Sequence, residues 1–306
     1  MTGRENLNRQ KLDVLNAALC AYIDKDITAC ELVSEMIEAE VRPNLEGPGW
    51  LSALDKLETF ILQFDRADNF QTPPFSIIGE GNGKLPFLTF STLPVLTCPG
   101  AGDCVEFCYS LKAWRYPNAW ARQFQNTLLL STRKGRWMIR RALDKQLSRP
   151  KYATLEQVDF RLYVDGDFAH VGDIHFWMQT LRARPQLAAY GYSKSFYEFL
   201  AYDVKLALCE KEWPSNYVLN LSSGHKHSPE MLREMRELPI VRGDFVAVQL
   251  PANATKKPGA QQRKELREAF GQKAFTCPGK CGDCTPKGHA CGSMRFAQTP
   301  IIIAVH

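Results

Sequence analysis

Apolar residues recur at helical spacing through the N-terminal region and then give way to short apolar runs set between helical stretches. Leu12, Leu15, Leu19, Tyr22 and Ile23 share one helical face, Leu32, Met36 and Ile37 a second, and Leu51, Leu54, Leu57, Ile61 and Leu62 a third. The last follows the breaker Arg42-Pro43 to Pro48-Gly49. These stripes predict a helical region over residues 1–70. Gln71-Thr72-Pro73-Pro74 and the glycines from Gly79 to Gly83 mark its boundary with a second region over 84–306. There the runs Leu88–Thr92, Phe160–Val164, Ala188–Ser193, Val204–Cys209, Tyr217–Leu221, Phe245–Leu250 and Pro300–Val305 predict strands. Helices are expected from Pro117 to about Leu147 with a break at Gly135, and over Asp173–Arg184, Pro229–Glu237 and Gln261–Phe270. Strands separated by helices imply an α/β fold, either a partial (β/α) barrel or an open, mainly parallel sheet. Its site belongs at the carboxyl ends of the strands.

Composition changes this picture little. The chain of 306 residues is 45% hydrophobic and 23% charged, ordinary for a globular protein. The net charge of +5 hides an asymmetry, because residues 1–66 hold seven Lys/Arg against twelve Asp/Glu. The acidic helices are therefore a candidate lid or protein-docking module, and the basic remainder admits nucleic acid as a partner. Met1 to Gln10 is polar and has no apolar signal core after it. No run approaches the ~18 apolar residues of a membrane span. A cytoplasmic protein without membrane association is expected.

The cysteines change the picture most. Seven of ten fall in two groups: Cys98, Cys104 and Cys108, then Cys277, Cys281, Cys284 and Cys291. Thr97-Cys98-Pro99-Gly100-Ala101-Gly102-Asp103-Cys104 is echoed by Thr276-Cys277-Pro278-Gly279-Lys280-Cys281-Gly282-Asp283-Cys284. Pro, Gly and Asp bend such loops so that several thiolates can face one centre. In a reducing compartment that pattern reads as metal binding rather than disulfides. The first group, C-x5-C-x3-C, is one ligand short of tetrahedral zinc, whereas a [4Fe–4S] cluster on three cysteines keeps one iron open. The second, C-x3-C-x2-C-x6-C, supplies four ligands with His289 close by, so it suits a structural or relaying centre, zinc or a second cluster. Cys20, Cys30 and Cys209 read as small hydrophobes.

Polar residues gather at the predicted strand ends. Asp165-Gly166-Asp167 ends one strand, Tyr192-Ser193-Lys194 the next and Asn220 with Ser222 and Ser223 a third, as a pocket for a small-molecule cofactor requires. Asp165 and Asp167 suit an amine, a ribose hydroxyl or Mg²⁺; alternatively Asp167 caps the following helix. His170 and His175 are candidate fourth ligands for zinc, while His225 and His227 read as a solvent-facing pair. The run Arg133, Lys134, Arg136, Arg140, Arg141 and Lys145 suits phosphates, or forms the outer face of a helix with Trp137, Met138 and Leu143 turned inward. No G-x-G-x-x-G, P-loop, G-x-S-x-G or H-E-x-x-H motif is present.

The stretch Thr97 to Cys104, Cys108-Tyr109, the run Phe160 to Phe168 and the cysteine-rich tail before the last apolar strand resemble the "gene product 88" family of phages and plasmids. That resemblance covers roughly residues 85–306 and implies a mobile-element protein without supplying a reaction. The organisation is also similar to radical S-adenosylmethionine (SAM) enzymes. In those, a three-cysteine loop after the first barrel strand holds a [4Fe–4S] cluster, an aromatic residue, here Phe107, precedes the third cysteine, and a turn after the second strand holds the SAM amino group. Asp165-Gly166-Asp167 occupies the matching place. The resemblance implies an iron–sulfur enzyme that binds SAM and acts on an unidentified substrate; the alternative is a zinc-stapled nucleic-acid-binding or regulatory protein.

Overall fold

The predicted periodicities map onto the computed structural model, which describes residues 3–38, 49–66, 72–251, 254, 255, 259–282, 284, 285 and 288–305. Helices α1 (Gly3–Ile23), α2 (Ala29–Glu38) and α3 (Trp50–Asp65) come first. A reciprocal capping box starts α2: the Thr28 N–H donates to Glu31 and the Glu31 N–H to the Thr28 hydroxyl. Leu12, Leu15, Leu19, Leu32 and Met36 are buried as expected, whereas Ile37 and Leu51 face solvent and Trp50, Phe60 and Phe64 complete the third stripe. The expected breaker at 42–48 and Gln71 lie outside the described residues.

The rest alternates as predicted: β1 (Leu88–Thr89), α4 (Pro117–Ser131), α5 (Arg133–Leu147), α6 (Pro150–Ala153), β2 (Val158–Leu162), α7 (Val171–Arg182), β3 (Leu187–Ser193), α8 (Phe196–Leu208), β4 (Tyr217–Ser222), α9 (Pro229–Glu237), β5 (Val241–Val248), α10 (Ala260–Phe270), β6 (Phe275–Thr276) and β7 (Ile301–Ala304). All pairings are parallel, in the order β1-β2-β3-β4-β5-β7-β6, and the sheet curls into a half-barrel.

Strand alternation decides what faces the inside of this curl. Phe160, Leu162, Leu187, Ala189, Leu219 and Leu221 enter the core shared with the helices. Their neighbours Arg161, Tyr190, Tyr192 and Val218 face the other way, with Phe245 and Ile301. The helical side is one continuous core that includes the N-terminal helices. Trp50 and Trp120 have ring centroids 5.8 Å apart, and the Trp120 indole donates to Asn16 over 3.2 Å.

Five local expectations are corrected. Val204–Cys209 belongs to α8, because Phe196, Phe199, Tyr202 and Leu206 bury one helical stripe while Val204 and Leu208 point outward. The helix break falls at Thr132, whose hydroxyl caps α5 by accepting from the Gly135 N–H, so Gly135 is the first turn of α5 and not a break. The first strand is only two residues long, and β5 begins at Val241, earlier than its apolar run. Trp137 is turned outward under the Arg141 guanidinium, 42% exposed.

Candidate metal centre

The chain leaves β1 into the three-cysteine loop, and this loop is tied to the turn that follows β2. The Thr92 N–H donates to the Asp165 carbonyl over 3.1 Å, the Asp165 N–H to the Ser91 hydroxyl over 3.3 Å, and the Asp167 N–H to the Thr97 hydroxyl over 3.2 Å. Gly166 permits this approach: its φ is +78° and a Cβ there would stand 2.1 Å from the Thr92 hydroxyl. The motifs placed at matching positions by sequence are thus one hydrogen-bonded unit at the carboxyl ends of the strands.

The far side of the loop docks on residues 224–227. The N–H groups of Gly102 and Cys104 both donate to the Gly224 carbonyl, at 2.9 and 3.3 Å, and the Lys226 N–H donates to the Gly100 carbonyl over 3.1 Å. A Cβ on Gly100 would lie 1.6 Å from the Lys194 carbonyl, so the backbones touch there. His225 and His227 are not solvent-facing as the sequence suggested. They stack on Phe196, and the His227 Nε2 meets the Lys194 carbonyl at 2.7 Å. Cys98 and Cys108 share one electrostatic neighbourhood with Asp167. Burial first, then that carboxylate, pushes the Cys98 thiol pKa up.

Asp165 and Asp167 diverge. Asp167 is buried and accepts from the Phe168 and Lys194 N–H groups and the Ser193 hydroxyl, at 2.8, 2.7 and 2.6 Å. It therefore pins the end of β2 to the end of β3 rather than capping α7, whose N-cap is His170. Asp165 faces Ser110, Ser91, Gln123 and Arg161, and burial raises its pKa despite those groups. Ser193 also accepts from the Ser195 N–H. Asn220 donates to the Gly191 and Cys291 carbonyls and accepts from the Arg242 guanidinium at 2.6 Å. Both side chains are thus committed inside the protein, and of the expected ligand contacts Tyr192 and Asp165 are half-buried. Lys194 Nζ donates to the Ser222 hydroxyl.

The second cysteine group packs into the hollow of the half-barrel. Cys277, Cys281, Cys284 and Cys291 join one apolar cluster with Phe87, Tyr190, Tyr192, Phe245 and Ile301. Two of the sulfurs accept backbone N–H groups. The Gly279 N–H donates to the Cys277 Sγ over 3.5 Å and the Ala290 N–H to the Cys284 Sγ over 3.3 Å. The Tyr190 hydroxyl lies beside Cys281, with no partner of its own, and the Tyr192 hydroxyl beside Cys291. Burial and the neighbouring thiols raise the Cys277 pKa, and burial pushes Cys291 up to about 12. His289 is not a fifth donor: its Nδ1 accepts from the Gly292 N–H and its Nε2 lies 3.6 Å from Asp159. Among the described residues no three His, Cys, Asp or Glu side chains are already drawn to ligating distance. The chain presents neighbouring thiols, not a closed coordination sphere. Asp283 lies outside the described residues.

The Gene product 88 family model matches residues 67–300. The chain belongs to this family. The match contains both cysteine groups and strands β1 to β6, begins earlier than the sequence resemblance suggested, and leaves α1, α2, α3 and β7 outside. No curated protein and no solved structure matches the chain.

The remaining expected residues fall elsewhere. His170 and His175 sit on α7, the second among Lys205, Arg182 and Lys211 on the helical exterior, remote from the thiols. The basic run is largely used internally: Arg136 pairs with Asp173, Arg140 donates to Thr180, and Lys134 donates to the Phe64 carbonyl. Lys256-Lys257-Pro258 and His306 lie outside the described residues. No described helix is long and apolar enough to cross a membrane. Tyr109, Arg161 and Arg242 hold places that no motif marks, although Arg161 between core-forming Phe160 and Leu162 has the pattern of a cation that points into the hollow.

Proposed function

We propose that this protein binds iron–sulfur clusters on its two cysteine groups and is a radical-SAM-like enzyme acting on a small molecule. The observation that carries the reading is the placement of four cysteine side chains in one cluster, Cys291 buried and the other three half-buried, with backbone N–H groups donating to two of the sulfurs. Neutral thiols need no such donors, whereas thiolate ligands are stabilised by them, and hydrogen bonds to sulfur tune cluster potentials. The donor set of the first loop fits a cluster with one open site: three cysteines lie beside the strand ends of a parallel half-barrel.

On this reading Cys98, Cys104 and Cys108 hold the reactive cluster and Cys277, Cys281, Cys284 and Cys291 hold a second centre. The cluster supplies one-electron chemistry, and the chain supplies position and exclusion of water. Asp167 keeps the loop, β2 and β3 in register, while Asp165 is a half-buried carboxylate beside that loop. Anaerobic purification tests the reading. Brown protein with about four or eight irons and matching sulfide supports it, and colourless protein with stoichiometric zinc contradicts it. A change in the reduced-cluster EPR spectrum on adding SAM supports the enzyme assignment; an unchanged spectrum removes it.

A further inference from the structure

Arg161 stands on the inward face of β2 between the two cysteine groups, and its charge has no counter-charge bonded to it. Its Cζ lies 4.8 Å from the centroid of the Tyr192 ring, which sets the plane of the guanidinium. Its only hydrogen-bond partner among the described residues is the Tyr109 hydroxyl, at a long 3.4 Å from Nη2, and its Nε is buried without one. The nearest acid, Asp165, is shared with Ser110, Ser91, Gln123 and a second arginine, Arg122. A half-buried cation left with a single long hydrogen bond and an unpartnered Nε is costly, so the fold carries it for something that arrives.

The neighbourhood is open to solvent on one side. Tyr109 is 53% exposed, and Arg161 and Tyr192 beside it are half-buried. The Tyr109 hydroxyl donates to the Val164 carbonyl, so the ring is held in place. The guanidinium therefore stands where water is partly excluded, and a charge-assisted pair there is stronger than at an open surface.

We propose that Arg161, held between Tyr109 and Tyr192, anchors an oxyanion, the carboxylate or phosphate of a small-molecule ligand, at the half-exposed surface between the two cysteine groups. Arginine suits this because its planar fork matches both anions. The site goes beyond the cluster reading and does not require it.

Calorimetric titration of the purified protein at low ionic strength with inorganic phosphate, and separately with malonate, tests the site. Saturable binding of at least one is expected, weakened about tenfold or more by Arg161→Gln. Tighter phosphate binding identifies a phosphorylated ligand and tighter malonate binding a carboxylate. Arg161→Lys keeps the charge without the fork and is expected to lose several-fold; it decides the matter should Arg161→Gln fail to fold. Wild-type protein that binds neither anion, or Arg161 variants that bind as tightly as wild type, overturns the proposal. Metal content measured on the same preparations separates the readings. An Arg161→Gln protein with altered metal content and unchanged anion affinity makes Arg161 a counter-ion of the thiolates and overturns the anion site. Metal-free wild type with Arg161-dependent anion binding supports the site while contradicting the clusters.

Discussion

The two cysteine groups share wording but are held by opposite means. The first is fixed through its backbone: Gly102 and Cys104 donate to Gly224, Lys226 to Gly100, and Asp167 to Thr97, which leaves the cysteines half-buried beside the strand ends. The second is fixed through its surroundings, with the Gly279 and Ala290 N–H groups and the Tyr190 and Tyr192 hydroxyls at its sulfurs and Asn220 holding the Cys291 carbonyl. A loop shaped by backbone contacts can present a ligand set with an open position. A loop whose sulfurs are answered in this way is built to stay closed.

That contrast breaks first, and hardest, at Asn220. Asn220→Ala removes the tether to Cys291 and strips the buried Arg242 guanidinium of an acceptor at 2.6 Å. Urea denaturation should show a loss of about 2–4 kcal/mol, with metal lost from the second group only. Gly100→Ala attacks the other side, since its Cβ would meet the Lys194 carbonyl at 1.6 Å. A loss of about 1–3 kcal/mol is expected, with depletion of the first centre while the second persists. Cys104→Ser should empty the first centre and shift stability by less than about 1 kcal/mol, because that loop is held by its backbone. A drop as large as that of Asn220→Ala would erase the distinction between the groups.

Protonation sharpens the comparison further. In metal-free protein the Cys291 thiol is raised from 9.0 to about 12, so the folded state holds its proton more tightly than the unfolded chain. The stability this contributes is complete below pH 9 and is lost as pH rises towards 12. Metal-free protein should therefore weaken under alkali where metal-loaded protein does not, and metal uptake should release protons and weaken as pH falls. Denaturation of both forms across that range checks the sign. The smallest effect is expected at the basic helix. Arg136 and Arg140 are engaged with Asp173 and Thr180, so replacing Arg133, Arg141 and Lys145 by Gln should leave no low-salt shift of labelled DNA or RNA to lose.

The fold class was legible in the sequence because periodicity survives in the runs that built the sheet, Phe160–Leu162 and Tyr217–Leu221 among them. It misled at Val204–Cys209, where only the burial of Phe196, Phe199, Tyr202 and Leu206 reveals a helix. The cysteine spacing named the sulfurs but not where the second group would dock, because parallel pairing brings distant residues together. Nothing local in the C-x3-C-x2-C-x6-C spacing could reveal that Cys277, Cys281, Cys284 and Cys291 pack in one cluster with Tyr190 and Tyr192. Ser193 and Asn220 looked like ligand contacts by position, yet their partners Asp167, Cys291 and Arg242 lie at long range.

The central claim is that both groups bind clusters independently, the first with an open iron and the second closed. Iron and sulfide counted in anaerobically purified wild type and in the Cys98→Ser, Cys104→Ser, Cys108→Ser triple variant test it most directly. The account predicts about eight irons falling to about four, with the fold retained. Iron absent from the wild type, or removed completely by the triple variant, would contradict it.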